Sequence, residues 1–190
     1  MTNPYTVPNL LTALRIVLIP AIAGLFYLPD GRGDTVAGVL FAIAGITDTL
    51  DGYVARRMGQ VSHLGTFLDP VADKLIVATA LVLIVSRNPV WYVTLTAAVI
   101  IGREIAISAL REWMAPIGAS KSVAVHMLGK LKTTVQMIAI PFLLFDGPLF
   151  GFVDTGLWGR WLIWIAAVLT VWSMVYYLQK ALPEIRKRVK

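Results

Sequence analysis

The sequence has 190 residues, a net charge of +6 and a 57% hydrophobic composition, with a mean hydropathy of +0.74. That balance excludes an ordinary soluble domain and points to an all-α polytopic membrane protein, a single transmembrane domain over residues 1–190. With no cysteine present, disulfides and thiolate chemistry are excluded; in so apolar a chain the positive charge points to anionic lipid or anionic substrates and not to nucleic acid.

Six membrane spans are predicted, over residues 9–28, 35–58, 66–86, 89–112, 125–145 and 157–181. No basic stretch precedes the first, and Asn3-Pro4-Tyr5-Thr6-Val7-Pro8-Asn9 leads straight into it, so a helix is expected there and not a signal peptide. Pro20 and Pro141 fall inside the first and fifth spans and are expected to kink them. Breakers at 29–34, 59–65, 88–89, 116–122 and 146–148 separate the spans. Arg56, Arg57, Arg111, Lys121, Lys180 and the tail Arg186-Lys187-Arg188 with Lys190 fall on one side, against Arg32, Arg87 and Arg160 on the other. The positive-inside rule then puts both termini and the second-to-third loop in the cytoplasm. Trp91, Tyr92, Trp158, Trp161, Tyr176 and Tyr177 lie mostly near span ends, where an interfacial aromatic belt accounts for them.

The second and third spans carry four carboxylates in apolar surroundings, in the string Asp48-x2-Asp51-Gly52-x2-Ala55-Arg56-x8-Gly65-x3-Asp69-x3-Asp73. At ordinary residue usage such a string arises by chance about once in 10⁹ starting positions. Asp48 and Asp51 share one helix face, and Asp69 and Asp73 share another. In an antiparallel hairpin of the two spans, turning near Val61, both pairs lie at about one depth towards the cytoplasmic side. Four Asp side chains facing lipid would cost on the order of 10 kcal/mol, so they are expected to line a cytoplasm-open cavity and hold cations. Carboxylates with no Cys and no close His form a hard donor set suited to Mg²⁺, Mn²⁺ or Ca²⁺ and not to zinc. His63 in the turn reads as a surface residue. Gly52, Ala55 and Gly65 leave room for a bulky planar ligand near the backbone, or for close helix packing. Arg56 is placed to grip a phosphate, or to anchor the cytoplasmic end of its span. Pro70 is compatible with a helix if it lies in the first turn after Gly65.

The string resembles the signature of the CDP-alcohol phosphatidyltransferase family, and every fixed position is met. Pro8-Asn9-Leu10-Leu11-Thr12-x2-Arg15, Ile101-Gly102-Arg103-Glu104-Ile105, Ala109-Leu110-Arg111-Glu112 and Gly129-Lys130-Leu131-Lys132-Thr133-Thr134-Val135-Gln136 narrow the resemblance to the bacterial subgroup that uses glycerol 3-phosphate. It covers nearly the whole chain. The resemblance implies six transmembrane helices in a homodimer of the bacterial cytoplasmic membrane. It also implies transfer of a phosphatidyl group from CDP-diacylglycerol to glycerol 3-phosphate, giving CMP and phosphatidylglycerol phosphate. By the same resemblance Asp48, Asp51, Asp69 and Asp73 hold two Mg²⁺ or Mn²⁺ ions. Asp51, Gly52, Ala55, Arg56 and Gly65 receive the nucleotide, and Asp73 is the general base.

Glycerol 3-phosphate is a dianion, so basic residues are expected beside the acids, and Arg103, Arg111, Lys130 and Lys132 are the candidates. The alternatives are structural Arg103–Glu104 and Arg111–Glu112 pairs, or snorkelling of Lys130 and Lys132. Asn9, Thr12 and Arg15 are candidates to close the CDP-diacylglycerol site from the first span, or else cap and anchor it. His126 reads as interfacial. A basic pocket disfavours serine as acceptor, whereas inositol phosphate fits the charge. A divalent-cation transporter would require an acid-lined route to the far face, where only Asp30, Asp34, Asp146 and Asp154 occur, all in expected loops.

Overall fold

The computed structural model describes residues 7–29, 32–58, 63–114 and 127–188. Six helices account for nearly all of them: α1 (Val7–Phe26), α2 (Arg32–Met58), α3 (His63–Arg87), α4 (Trp91–Met114), α5 (Met127–Phe145) and α6 (Thr155–Arg188). Each predicted span corresponds to one helix, with ends displaced by a few residues. The largest difference is at α6, which continues through Pro183 and takes the start of the basic tail into its last turns. Gly65 does not open α3: the helix begins at His63, so Pro70 lies well inside it and not in its first turn. Lacking an N–H, Pro70 cannot bond the carbonyl four residues back.

Among the described residues, α1, α4 and α6 are long and apolar enough to cross a membrane. The helices outside that set are α2 and α3, which carry the acidic string, and α5, which carries Lys130 and Lys132. Polar chemistry thus dilutes the membrane signal where it is concentrated. Large apolar side chains such as Val17, Ile43, Val82, Leu95, Ile105, Trp161, Val168 and Trp172 face outwards. An apolar exterior of this kind belongs to a protein solvated by lipid.

Helix α5 packs along α6 and α2, α4 lies against α6 and α3, and α1 lies against both α2 and α3. The α2–α3 pair is not among the more extensive packings between the described residues; α1 packs against both arms of the expected hairpin, and Asp48 and Asp73, one from each arm, lie within hydrogen-bonding reach of each other. With no hydrophobic driving force between helices in lipid, close approach matters. Gly33 sits where a Cβ would come within 2.5 Å of the Leu25 and Phe26 carbonyl oxygens, and Gly38 where it would come within 3.1 Å of the Pro141 carbonyl. Ile22 and Phe26 of α1, Phe41 of α2, Ile84 of α3, Ile100 of α4 and Leu144 of α5 belong to one core. That core fills the half of the bundle nearest the α1–α2, α3–α4 and α5–α6 connections.

At that end Asp34 is not in a loop: it lies in the first turn of α2, buried, and ion-paired with Arg87 from the end of α3. The Arg87 guanidinium also lies 5.5 Å from the centre of the Phe26 ring. Between α5 and α6 a short antiparallel hairpin, β1 (Pro148–Leu149) with β2 (Val153–Asp154), replaces the expected irregular loop. Gly151 takes a φ of 78° at its tip. Asp154 then caps α6, accepting the Leu157 N–H at 2.9 Å.

Candidate active site

In the other half of the described bundle a group of charged and polar residues surrounds a cavity of about 840 Å³. On α1, Thr12 and Arg15 are three residues apart and share a face. Both side chains are buried, and both reach acids of the string. Thr12 donates its hydroxyl to Asp69. The Arg15 guanidinium places one nitrogen 2.8 Å from Asp48 Oδ1 and 2.6 Å from Asp73 Oδ1. Asp48 of α2 and Asp73 of α3 are thus bridged by a single cation from α1, at the common depth their spacing predicts.

Exposure shows which way this assembly faces. The Arg15 side chain is 3% exposed, while Asp48 and Asp73 are 37% and 47% exposed. The cation is almost wholly covered, and the two carboxylates beside it are open to the cavity that all three line. Asp69 lies one turn from Asp73, and its charge acts on Asp73 together with those of Asp48 and Arg15. Asp51, Gly52, Ala55 and Arg56 lie on α2 with their surroundings outside the described residues. Among the described residues no three ligating side chains converge on one point. The described part of the donor set still suits a hard divalent cation: all are carboxylate oxygens, and Asp48 and Asp73 already share one positive group.

The opposite wall is basic. Lys132 of α5 is almost completely buried and ion-paired with Glu104 of α4. Arg103 places one nitrogen 3.7 Å from Glu104 and donates from another to Ser173 Oγ at 3.1 Å. The guanidinium groups of Arg103 and Arg111 lie 5.5 Å and 5.6 Å from the centre of the Tyr177 ring. Tyr177 is 1% exposed, so it is not an interfacial belt residue; it is the platform on which two arginines rest. Of the acceptor candidates, Arg103, Arg111 and Lys132 line the cavity with Asp48 and Asp73. Lys130 is exposed and absent from that lining, Asn9 is buried on α1 outside it, and Gly65 is buried near the start of α3.

Glu104 serves both Lys132 and Arg103, which leads to a prediction. Replacing it with Ala leaves two buried cations without their carboxylate, a change expected to destabilise the fold by about 3 kcal/mol. A fall of about 6–12 °C in the melting temperature of the detergent-solubilised protein would register it.

Reading the sequence alone passed over Lys74, Ser108, Gln136 and Ser173. Lys74 lines the cavity and donates to Ser108. An intramembrane lysine directly after the last acid of the string was a usable signal. Ser108, Gln136 and Ser173 offered none, because hydroxyls and amides are common in membrane helices.

With this arrangement described, comparison with known proteins is decisive. A profile of the CDP-alcohol phosphatidyltransferase family matches residues 5–172. The chain belongs to that family. Among curated relatives, proteins from Salmonella choleraesuis (strain SC-B67) and Salmonella typhimurium (strain LT2) are each 49% identical to it over 177 residues. One from Escherichia coli (strain K12) is 48% identical. All three alignments cover 93% of this chain and 95% of the relative. Each relative carries the name CDP-diacylglycerol–glycerol-3-phosphate 3-phosphatidyltransferase.

Proposed function

We propose that this chain transfers the phosphatidyl group of CDP-diacylglycerol to glycerol 3-phosphate, releasing CMP and forming phosphatidylglycerol phosphate. The observation that carries the reading is the pairing of two cavity-facing carboxylates with a basic opposite wall, in a chain about half identical to enzymes of that name. The acids suit the pyrophosphate end of the donor, and the basic wall suits an anionic acceptor.

In the reaction, an acceptor hydroxyl oxygen attacks the phosphorus that bears diacylglycerol. The new P–O bond forms as the bond to the CMP oxygen breaks, and CMP leaves with that electron pair. Asp73, facing the cavity, takes the hydroxyl proton. Asp48, Asp51, Asp69 and Asp73 would hold two Mg²⁺ or Mn²⁺ ions, whose chemistry is to neutralise the charge gathering on the pyrophosphate oxygens. Arg15 keeps Asp48 and Asp73 at a common position, and Thr12 fixes Asp69. Gly52, Ala55, Arg56 and Gly65 receive the cytidine and its phosphates, with Asn9, Thr12 and Arg15 closing the donor site from α1. Arg103, Arg111, Lys130 and Lys132 serve the acceptor.

The charge bias of the loops supports a site and both termini on the cytoplasmic side, and family membership supports a bacterial inner membrane, six spanning helices in one catalytic domain and a homodimer as the working unit. Purified protein incubated with CDP-diacylglycerol, Mn²⁺ and labelled glycerol 3-phosphate tests the reaction. Labelled phosphatidylglycerol phosphate and stoichiometric CMP are expected. Their absence, or preferential use of inositol phosphate or serine in parallel reactions, overturns the assignment.

A further inference from the structure

The hairpin between α5 and α6 carries an apolar tip that belongs neither to the core nor to the cavity lining. Phe150 and Phe152, on either side of Gly151, are 81% and 82% exposed. Their rings stack with centroids 6.4 Å apart. From Gly147 to Val153 the sequence holds no charged residue. The two acids that bound this stretch are turned back onto the start of α6. Asp154 accepts the Leu157 N–H, and Asp146 Oδ1 lies where a Cβ on Gly156 would collide with it. The tip is left bare of charge.

The backbone gives a second, independent observation. Phe150 has a φ of 55° beside Gly151 at 78°. A left-handed position in a hairpin loop favours Gly or Asn, and a bulky aromatic residue there is strained. Strain of this kind persists where the side chain has a use. The base of the hairpin is also tied to α6: Thr155 Oγ1 donates to the Gly147 carbonyl at 2.8 Å and accepts the Gly147 N–H at 3.0 Å. The surroundings indicate what the tip meets. It leaves the bundle at the end away from the cavity, next to the first turns of α6, where Leu157, Trp158 and Trp161 are exposed. Tyr27 and Trp91, exposed as well, mark the same end at the α1–α2 and α3–α4 connections. The apolar exterior of α6 thus continues into the tip.

We propose that this tip is an interfacial anchor: Phe150 and Phe152 enter the boundary between headgroups and acyl chains of the leaflet on the side away from the cavity. Phenylalanine has no polar handle to keep in water, so its ring passes below the level of the phosphates. A small pair of rings without a polar rim suits a lipid surface, whereas a folded partner is recognised by apolar contact ringed with polar groups. Because the hairpin base is tied to α6, an anchored tip sets the depth of α5 and α6, the helices that bear Lys132 and Tyr177 at the opposite end. The inference involves no substrate and holds for any acceptor alcohol.

The chain has no cysteine, so a single nitroxide attached through Phe152→Cys reports on the tip alone. Full-length protein in phosphatidylcholine vesicles is probed by collision with oxygen, which concentrates in lipid, and with a water-soluble nickel chelate. The label is expected about 5–10 Å below the phosphates, the depth of an interfacial apolar group. A label level with the phosphates or above them overturns the proposal. So does an immobilised label that meets neither reagent, since protein would then cover the tip. Phe150→Asp in the labelled chain is expected to draw the nitroxide towards water. An unchanged depth would mean that the bundle alone fixes the position, and would reject anchoring by the aromatic pair. Circular dichroism matching the parent shows that each labelled chain is folded. Should Phe152→Cys not fold, the same measurements at Phe150→Cys, with Phe152→Asp as the charged change, decide the matter.

Discussion

Replacing Asp73 with Asn is expected to lower phosphatidyl transfer by about 10³-fold or more while leaving the bundle folded. The change is nearly isosteric, so packing is kept, but the side chain loses its negative charge and its capacity to accept a proton. Because the Asp73 side chain is 47% exposed, its charge is turned towards the cavity and contributes little to the core. Asp48→Asn is expected to lose a similar factor without the proton-transfer component, on the order of 10²–10³. CMP release by the purified variants, with melting curves recorded alongside, checks both. A variant folded like the parent and active within about tenfold of it would refute the role given to that carboxylate.

The second large effect falls on Arg15, and it should depend on conditions. With a chelator present, Arg15→Gln leaves Asp48 and Asp73 facing one another without the cation that bridges them. Breaking a fully buried pair costs about 3–5 kcal/mol. Here the carboxylates are partly open to the cavity, which reduces the expected cost to about 2 kcal/mol, or about 4–8 °C in melting temperature. Saturating Mn²⁺ is expected to return most of that loss, because a divalent cation among the same oxygens supplies the missing charge. Thermal unfolding of parent and variant, each with chelator and with Mn²⁺, gives the four values needed. A loss of equal size in both conditions would mean that Arg15 acts through packing and not through the acids.

Much of this was readable in the sequence, for identifiable reasons. Apolar length locates helices because lipid cannot satisfy a backbone polar group. Spacings of three and four put Asp48 level with Asp73 because the helical repeat is rigid. Tertiary partnership was not readable. The paired acids suggested that α2 and α3 bring their carboxylates together, but nothing in them pointed to α1, which holds the acids through Thr12 and Arg15. Tyr177 looked like a headgroup anchor because its distance from the span end fits one. Only packing against Arg103 and Arg111 shows it to be interior. Lys132 and Glu104 lie on different helices, so no local pattern links them.

The distribution of charge among the helices bears on biogenesis. Each of the polar helices α2, α3 and α5 is joined by a short connection to one of the apolar helices α1, α4 and α6. A polar segment that partitions poorly from the translocon alone can therefore enter as one arm of a helical pair, α1 with α2, α3 with α4 and α5 with α6. The charged residues of these helices would otherwise hinder insertion, and the pairing along the chain gives each polar helix an escort.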